Sequence, residues 1–323
     1  MKQLLDQVAT IIADYRVGEW AVPDASHVRR WINQFDEPVR EPVLREIAHV
    51  LGQTYLSREQ CNNFIHTVVK SKNLAGDDPS SFWGGVQFLR VQQGGQSQTD
   101  MLGLFAAMLK KTYGIGTLAA GATDTFVYLD DVSYSGNRVL NDLRGWVANT
   151  APAAGKVHII VMALHTSGQH YAQGALVKAA KEAGKSIEFK WWRSVEVEDR
   201  RDHTAVSDVL RPTSIPQDAL VQAHVAEMQY QPVLRVPGSV GGLKFFSSDA
   251  ARQILEQEFL KVGCRVRQMC PNLPLRHRPL GFSFLETLGF GTTMVTYRNC
   301  PNNAPLALWV GAPWIPLLPR KNN

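Results

Sequence analysis

The chain has 323 residues, of which 45% are hydrophobic and 20% charged, a composition that excludes disordered and collagen-like classes of protein. A formal net charge of +5 at pH 7 favours a phosphate-bearing ligand or nucleic acid, without excluding a neutral partner. The cysteines Cys61, Cys264, Cys270 and Cys300 are too few and too scattered for a disulfide framework or a zinc site, which predicts a reduced, cytoplasmic setting. No run approaches the roughly 18 uncharged apolar residues of a membrane helix, so we expect no membrane partner.

The N-terminal part of the chain has the pattern of a helical region. From Leu4 onward, apolar residues recur at the spacing of one helix face, and similar faces follow up to about residue 75. The segment 74–85 is rich in turn-forming residues and marks a boundary. We therefore predict an all-helical N-terminal region over 1–80 and a second domain over 81–323.

The second domain begins with short apolar runs that alternate with helical stretches. The apolar runs are 86–91, 126–131, 157–164 and 187–192. The helical stretches are about 98–113, 137–148 and 170–184. This alternation predicts an α/β fold with a parallel sheet covered by helices on both faces. From about residue 200 the pattern becomes irregular, with one helix near 248–261, and predicts an α+β C-terminal hood.

The segment FVYLDDVSYSGNRVL, residues 126–140, carries the strongest functional pattern. A buried strand ends in Asp130 and Asp131, and a turn of small residues leads into a helix. Ligands of parallel sheets bind at the carboxyl ends of the strands, and a turn that opens a helix offers N–H groups to phosphate. Carboxylates beside such a turn are suited to sugar hydroxyls. Two alternatives stay open, namely simple helix capping and the second motif of a phosphate-loop NTPase.

Two further groups of residues are weaker candidates. His165, with the Thr and Ser that follow it, lies at the end of another predicted strand, where it either approaches a ligand or caps the next helix. Near the C-terminus, Asn302, Asn303 and Trp309 combine amides with an indole, a set that can recognise and stack a base. The alternative for these three residues is ordinary packing and turn formation.

The segment LDDVSYSG resembles the signature of type I phosphoribosyltransferases. The resemblance implies that Asp130 and Asp131 are the catalytic acids that hold the ribose hydroxyls of phosphoribosyl pyrophosphate. It also implies a loop for the 5′-phosphate, made of Val132, Ser133, Tyr134, Ser135, Gly136, Asn137 and Arg138. Tyr134 and Arg138 are bulkier than the family's usual residues at these positions.

A second match lies upstream, where the run 86–91 leads into QQGGQSQTD. This segment resembles the first strand–loop–helix unit of the same family, whose loop binds pyrophosphate. The resemblance implies that this loop is formed here by Gly94, Gly95, Gln96 and Ser97.

Most of the chain is similar to a narrower group, the phosphoribosyltransferase-like effectors of bacterial conflict systems such as retrons. The stretches that carry this similarity are HVRRWINQF (27–35), LDDVSYSGN and the closing YRNCPNN segment. It implies a toxin-type effector of anti-phage defence that acts on a nucleotide or nucleic acid. It further implies Mg²⁺ held through the ligand without direct protein ligands, and a retron reverse transcriptase with its RNA–DNA hybrid as partners, in an assembly that can include an oligomer. The alternative is a non-catalytic nucleotide-sensing or partner-binding module on the same fold.

Overall fold

The computed structural model describes residues 1–92, 97–116, 123–236, 244–285 and 287–320. The helices are α1 (Lys2–Ile11), α2 (Ala25–Ile32), α3 (Arg40–Thr54), α4 (Arg58–Val69), α5 (Lys72–Ala75), α6 (Pro79–Gly85), α7 (Ser97–Tyr113), α8 (Asn137–Asn149), α9 (Thr166–Glu182), α10 (Ala219–Ala226), α11 (Asp249–Met269) and α12 (Leu306–Trp309). The strands are β1 (Tyr55–Leu56), β2 (Gln87–Phe88), β3 (Thr125–Ser133), β4 (Ala154–His165), β5 (Ser186–Val197), β6 (His277–Arg278), β7 (Gly281–Phe282) and β8 (Val295–Thr296). Short 3-10 helices lie at Glu37–Val39 and Thr204–Val206.

The chain divides into two compact units whose limits differ from the expected ones. One unit combines Met1–Arg58 with Glu198–Asn323, and the other is Glu59–Val197. We expected a division near residue 80, but α4, α5 and α6 belong with the sheet. The irregular C-terminal part belongs with the first helices of the chain.

A parallel four-stranded sheet with the order β2–β3–β4–β5 forms the centre of unit 59–197. This confirms the predicted α/β class and the parallel arrangement. Strands β3, β4 and β5 run further than the apolar runs that predicted them, and β5 continues to Val197. Strand β2 is shorter than its predicted run 86–91, because only Gln87 and Phe88 pair with β3. Because all strands are parallel, the ends of β3 and β4 lie at the same edge, with Ser133 opposite Leu164.

Helices cover both faces of this sheet, as predicted. On one face Phe126 and Tyr128 join a buried apolar cluster with α8 and α9, and the ring centroids of Phe126 and Trp146 lie 4.9 Å apart. Side chains alternate along a strand, so His158 points to the opposite face from its cluster neighbours on β4. There it contacts Phe82 of α6 at 5.6 Å between ring centroids. Each large apolar side chain buried in this way contributes about 1.5–3 kcal/mol.

Unit 1–58 with 198–323 is built around the contacts of α1 with α2 and with α3 and the contact of α3 with α11. Trp31 and Phe35 pack against Phe259 of α11, with ring centroids 6.3 and 6.0 Å away. The N-terminal region is not purely helical, because β1 pairs in parallel with β8. Among the described helices, none is both long and apolar enough to cross a membrane.

Candidate functional site

The acid pair at the end of β3 is held by backbone and by the start of α7. Asp130 is only 4% exposed, whereas Asp131 is partly exposed. The amide of Asp131 donates to Oδ1 of Asp130 at 2.9 Å, and the amide of Val132 donates to Oδ1 of Asp131 at 2.8 Å. The hydroxyl of Ser97, at the start of α7, lies close enough to the Asp130 carboxylate to lower its pKa. The pair is therefore fixed in orientation at the edge where a parallel sheet binds its ligands.

Burial and charge shift the protonation of Asp130. Burial, followed by repulsion from Asp131, raises the pKa of Asp130 to about 7, although Ser97 and the Asp131 amide act in the opposite sense. A ligand hydroxyl that donates to this group favours its charged form. Asp130 is thus an acid that changes its protonation state close to neutral pH, which is typical of functional sites.

A second buried hydrogen bond ties the strand to the following helix. The hydroxyl of Tyr128 donates to Oδ2 of Asp142 on α8 at 2.8 Å. Burial, followed by the charges of Asp130 and Asp142, raises the pKa of Tyr128 well above its usual value. The phenol therefore stays protonated and keeps α8 in place on β3.

Replacing Tyr128 with phenylalanine is expected to lower the free energy of unfolding by about 1–3 kcal/mol, because a buried carboxylate loses a donor. Urea denaturation measures the effect. Tyr113→Phe is the matched control, since the hydroxyl of Tyr113 makes a longer, part-buried bond of 3.3 Å to the Val69 carbonyl. Equal stability of the two variants would contradict the proposed role of the Tyr128 hydroxyl.

The turn after β3 has the geometry of an anion-binding turn. Gly136 has φ +73°, a left-handed conformation that favours glycine, and it precedes the first residue of α8. Glycine has no side chain to cap the first turn, so the N–H groups there can serve a ligand. The side-chain Nδ2 of Asn137 donates to Oγ of Ser135 at 3.3 Å. Oγ of Ser133 is buried and has no hydrogen-bond partner among the described residues.

The turn is pressed against the first turn of α9. A Cβ atom on Gly136 would lie 2.1 Å from the carbonyl oxygen of Gly168, and one on Gly168 would lie 2.1 Å from the carbonyl oxygen of Tyr134. The Tyr134 ring lies on that of His165, with centroids 5.6 Å apart. The sequence had suggested His165, which is fully buried at the end of β4. It did not suggest Gly168, whose only signal is a Thr-Ser-Gly triplet after the strand.

The predicted pyrophosphate loop is only partly within the described residues. Gly94, Gly95 and Gln96 lie outside them. Ser97 is the first residue of α7, where its Oγ accepts from Nε2 of Gln92 at 2.9 Å and its hydroxyl lowers the pKa of Asp130. The structure thus brings one of the four predicted loop residues to Asp130.

The C-terminal candidates lie in the other unit and make internal contacts. Trp309 is 5% exposed, and its Nε1 donates to the Ala304 carbonyl at 2.9 Å. Nδ2 of Asn303 donates to the Phe282 carbonyl at 3.0 Å, and the Asn302 carbonyl accepts from the Phe282 amide at 2.7 Å. These groups therefore make contacts within their own unit, and recognition of a base by them stays a prediction.

Among the described residues, no group of three or more His, Cys, Asp and Glu side chains could hold a metal by itself. Magnesium bound through the phosphates of a ligand, without direct protein ligands, stays a prediction. In that arrangement Asp130 and Asp131 would hold the ribose hydroxyls of the ligand.

A parallel sheet with an acid pair and a glycine turn at the end of one strand defines a phosphoribosyltransferase-like α/β protein. The family model of PRTase-CE matches residues 28–320, and the chain belongs to this family. The predicted resemblance to phosphoribosyltransferase-like proteins is thereby confirmed. A search of curated proteins found no match.

Proposed function

We propose that the protein binds a ligand containing ribose 5-phosphate, either phosphoribosyl pyrophosphate or a nucleotide, at the end of β3. It then acts as a glycosyltransferase of the phosphoribosyltransferase type. The observation that carries this proposal is the position of the acid pair, buried Asp130 and partly exposed Asp131, on the last part of β3 before a glycine-containing turn whose helix has no side-chain cap. The proposed setting, anti-phage defence beside a retron reverse transcriptase and its RNA–DNA hybrid, rests on the family resemblance alone.

Each part of the ligand has a matching group in the site. The 5′-phosphate would take the turn 133–137, where the backbone N–H groups and the positive end of the α8 dipole attract an anion. The Ser135 hydroxyl adds a donor. The ribose hydroxyls would donate to Asp130 and Asp131, and hydrogen bonds to ionised carboxylates are stronger than neutral ones. Magnesium, bound with the ligand, supplies positive charge to the leaving group.

The chemistry needs stabilisation of positive charge on the sugar. The bond from ribose C1 to its leaving group breaks, the electron pair leaves with pyrophosphate or a base, and the acceptor then bonds to C1. The transition state resembles an oxocarbenium ion, as in glycoside chemistry. The carboxylates of Asp130 and Asp131 stabilise this charge electrostatically, while the phosphate turn supplies remote binding energy.

Calorimetry with phosphoribosyl pyrophosphate and Mg²⁺ tests the proposal. Binding by the wild type should weaken by about 100-fold or more in the double variant Asp130→Asn/Asp131→Asn, because each charged hydrogen bond contributes about 1.5–3 kcal/mol. Asp124→Asn, which makes the same chemical change just before β3 begins, is the control and should bind normally. Failure of the folded wild type to bind this ligand or nucleoside monophosphates would refute the proposed ribose-phosphate site.

A non-catalytic nucleotide sensor is the second candidate. It is favoured by the bulk of Tyr134 in the phosphate turn and by its contact with His165. An assay of pyrophosphate release separates the two candidates. Release that depends on Asp130 supports the transferase, whereas tight binding without release, over a broad set of acceptors, supports the sensor.

A further inference from the structure

A cluster of basic side chains lies in unit 1–58 with 198–323, which does not contain the acid pair. Its members are Arg267 in the last turn of α11, Arg278 on β6 and His224 in the last turn of α10. All three side chains are partly buried. We refer to them as the basic cluster.

Close packing fixes the members of the basic cluster. A Cβ atom on Gly263 would lie 2.5 Å from the Pro279 carbonyl oxygen, so the α11 backbone lies directly against the residue after Arg278. Arg267 is one helical turn beyond Gly263 and therefore on the same face of α11. Its Nη1 donates to the carbonyl of Pro274 at 3.3 Å and to that of the residue preceding Arg278. Helix α10 in turn packs on α11.

Among the described residues, no carboxylate forms an ion pair with Arg267 or Arg278, and Glu227 is the carboxylate whose charge acts on Arg267 and His224. Helix α11 forms ion pairs with described residues through charged side chains other than Arg267. Arg278 on β6 takes part in none of them. Burial, followed by the charge of Arg278, lowers the pKa of Arg267. Burial, followed by the charges of Arg267 and Arg278, lowers the pKa of His224, and Glu227 is the carboxylate that opposes this effect. Like charges held together away from water destabilise the free protein.

Buried nitrogen atoms in and beside the basic cluster have no partner. They are Nε of Arg278, Nε2 of His224 and Nδ1 of the neighbouring His277, none of which makes a hydrogen bond to a described residue. Native proteins pair almost all of their buried polar atoms, so an unpaired set points to an ion or ligand that completes it. The two guanidinium charges of Arg267 and Arg278, together with these unpaired nitrogen atoms, favour an anion as the missing partner.

We propose that Arg267, Arg278 and His224 form a second binding site that takes the phosphate group of a nucleotide or of a single-stranded nucleic acid. Guanidinium groups match phosphate oxygens in geometry as well as charge. An aromatic surface for a base lies on the same chain segment, because Phe284 is 55% exposed and the Arg276 guanidinium lies 4.9 Å from its ring centroid. This inference does not depend on the proposed transferase activity.

The test uses the full-length chain carrying Ser135→Asp, which places a negative charge in the phosphate turn after β3 and so blocks the first site. Inorganic phosphate, thymidine monophosphate and a short labelled oligothymidylate are titrated against this protein with and without Arg278→Gln. We expect Arg278→Gln to weaken binding roughly 10- to 100-fold, as for loss of a charged hydrogen bond. Arg45→Gln is the matched control, because Arg45 is 66% exposed and pairs with Glu41; it should bind as its parent does.

The probes also distinguish the sources of the phosphate. Tighter binding of the oligonucleotide, weakening with salt, assigns the site to a nucleic-acid chain, and equal binding of all probes assigns it to free phosphate or mononucleotides. Without ligand, Arg278→Gln should keep or raise the melting temperature, because repulsion is relieved and the Arg278 side chain has no hydrogen bond or ion pair to a described residue. Arg278→Lys, which keeps the charge but not the planar donors, gives an intermediate affinity and covers the case in which the glutamine variant misfolds. Equal binding by the Ser135→Asp protein and its Arg278 variants, or no binding of any probe, overturns the proposal.

Discussion

Replacement of Gly168 by alanine is expected to lower the free energy of unfolding by about 3 kcal/mol or more and to abolish ligand binding at the β3 turn. The new Cβ would lie 2.1 Å from the Tyr134 carbonyl oxygen and 2.7 Å from the Ser135 carbonyl carbon. Both are backbone atoms, so no side-chain rotation relieves the clash. Either the turn moves off α9 or the helix shifts, and both movements displace the N–H groups that would hold phosphate.

The same helix offers a control for this substitution. Gly174 also lies on α9, and a Cβ added to it meets no atom within 4 Å. Alanine is the better helix former by about 1 kcal/mol, so Gly174→Ala should leave binding unchanged and stabilise the fold slightly. Urea denaturation measures the free energy of unfolding of both variants, and calorimetry measures their ligand binding. A Gly168→Ala protein as stable as the wild type would show that the turn and α9 do not need their close approach.

Replacement of Asp130 by asparagine should stabilise the folded protein at pH 8 while it removes ligand binding. The pKa of this carboxyl is raised from 3.8 to about 7 in the folded state. The folded protein therefore holds a proton that the unfolded chain has lost, and stability falls as the pH rises from about 4 to about 7. The free energy of unfolding falls by about 1.4 kcal/mol for each pH unit between these two pKa values, so above pH 7 it is lower by on the order of 4 kcal/mol. A neutral asparagine avoids this loss.

The pH dependence of the stability of Asp130→Asn shows whether the raised pKa of Asp130 is its cause. The stability advantage of Asp130→Asn should be largest at pH 8 and shrink to less than half by pH 5, where the wild-type carboxyl is itself protonated. Asp131→Asn serves as the comparison, because it removes the neighbouring charge that helps to raise the pKa of Asp130 and so should restore only part of the stability. Urea unfolding curves at the two pH values measure both effects. An advantage that does not change with pH would mean that Asp130 is charged throughout.

The elements of the sheet and the acid pair could be predicted from the sequence because their signals are local. The run from Phe126 to Asp131 contains most of β3 and the acid pair, and the small residues after it predict the turn. Helix α8 begins at Asn137, as its pattern predicts. The start of α9 was placed too late, near residue 170 instead of Thr166, because its first turn is polar and carries no apolar periodicity.

The contacts that complete the site could not be predicted in this way. Gly168 meets the turn across more than 30 residues of chain, and Ser97 meets Asp130 across a similar distance. The pairing of β1 with β8 involves two residues on each strand, too few for any alternation to show. The division at residues 58 and 197 depends on long-range packing, whereas turn-forming residues indicated only a local break near residue 80.

The discontinuous unit fixes an order of events during synthesis of the chain. The amide of Ser247 donates to the buried carboxylate of Glu46, a contact between residues 201 positions apart. The first helices therefore leave the ribosome long before α11, their packing partner, has been made. All strands of the central sheet, by contrast, are complete by Val197. The nascent chain thus acquires every described part of its acid pair and phosphate turn while its N-terminal apolar faces still lack their cover, and a chain interrupted near residue 200 would expose those faces.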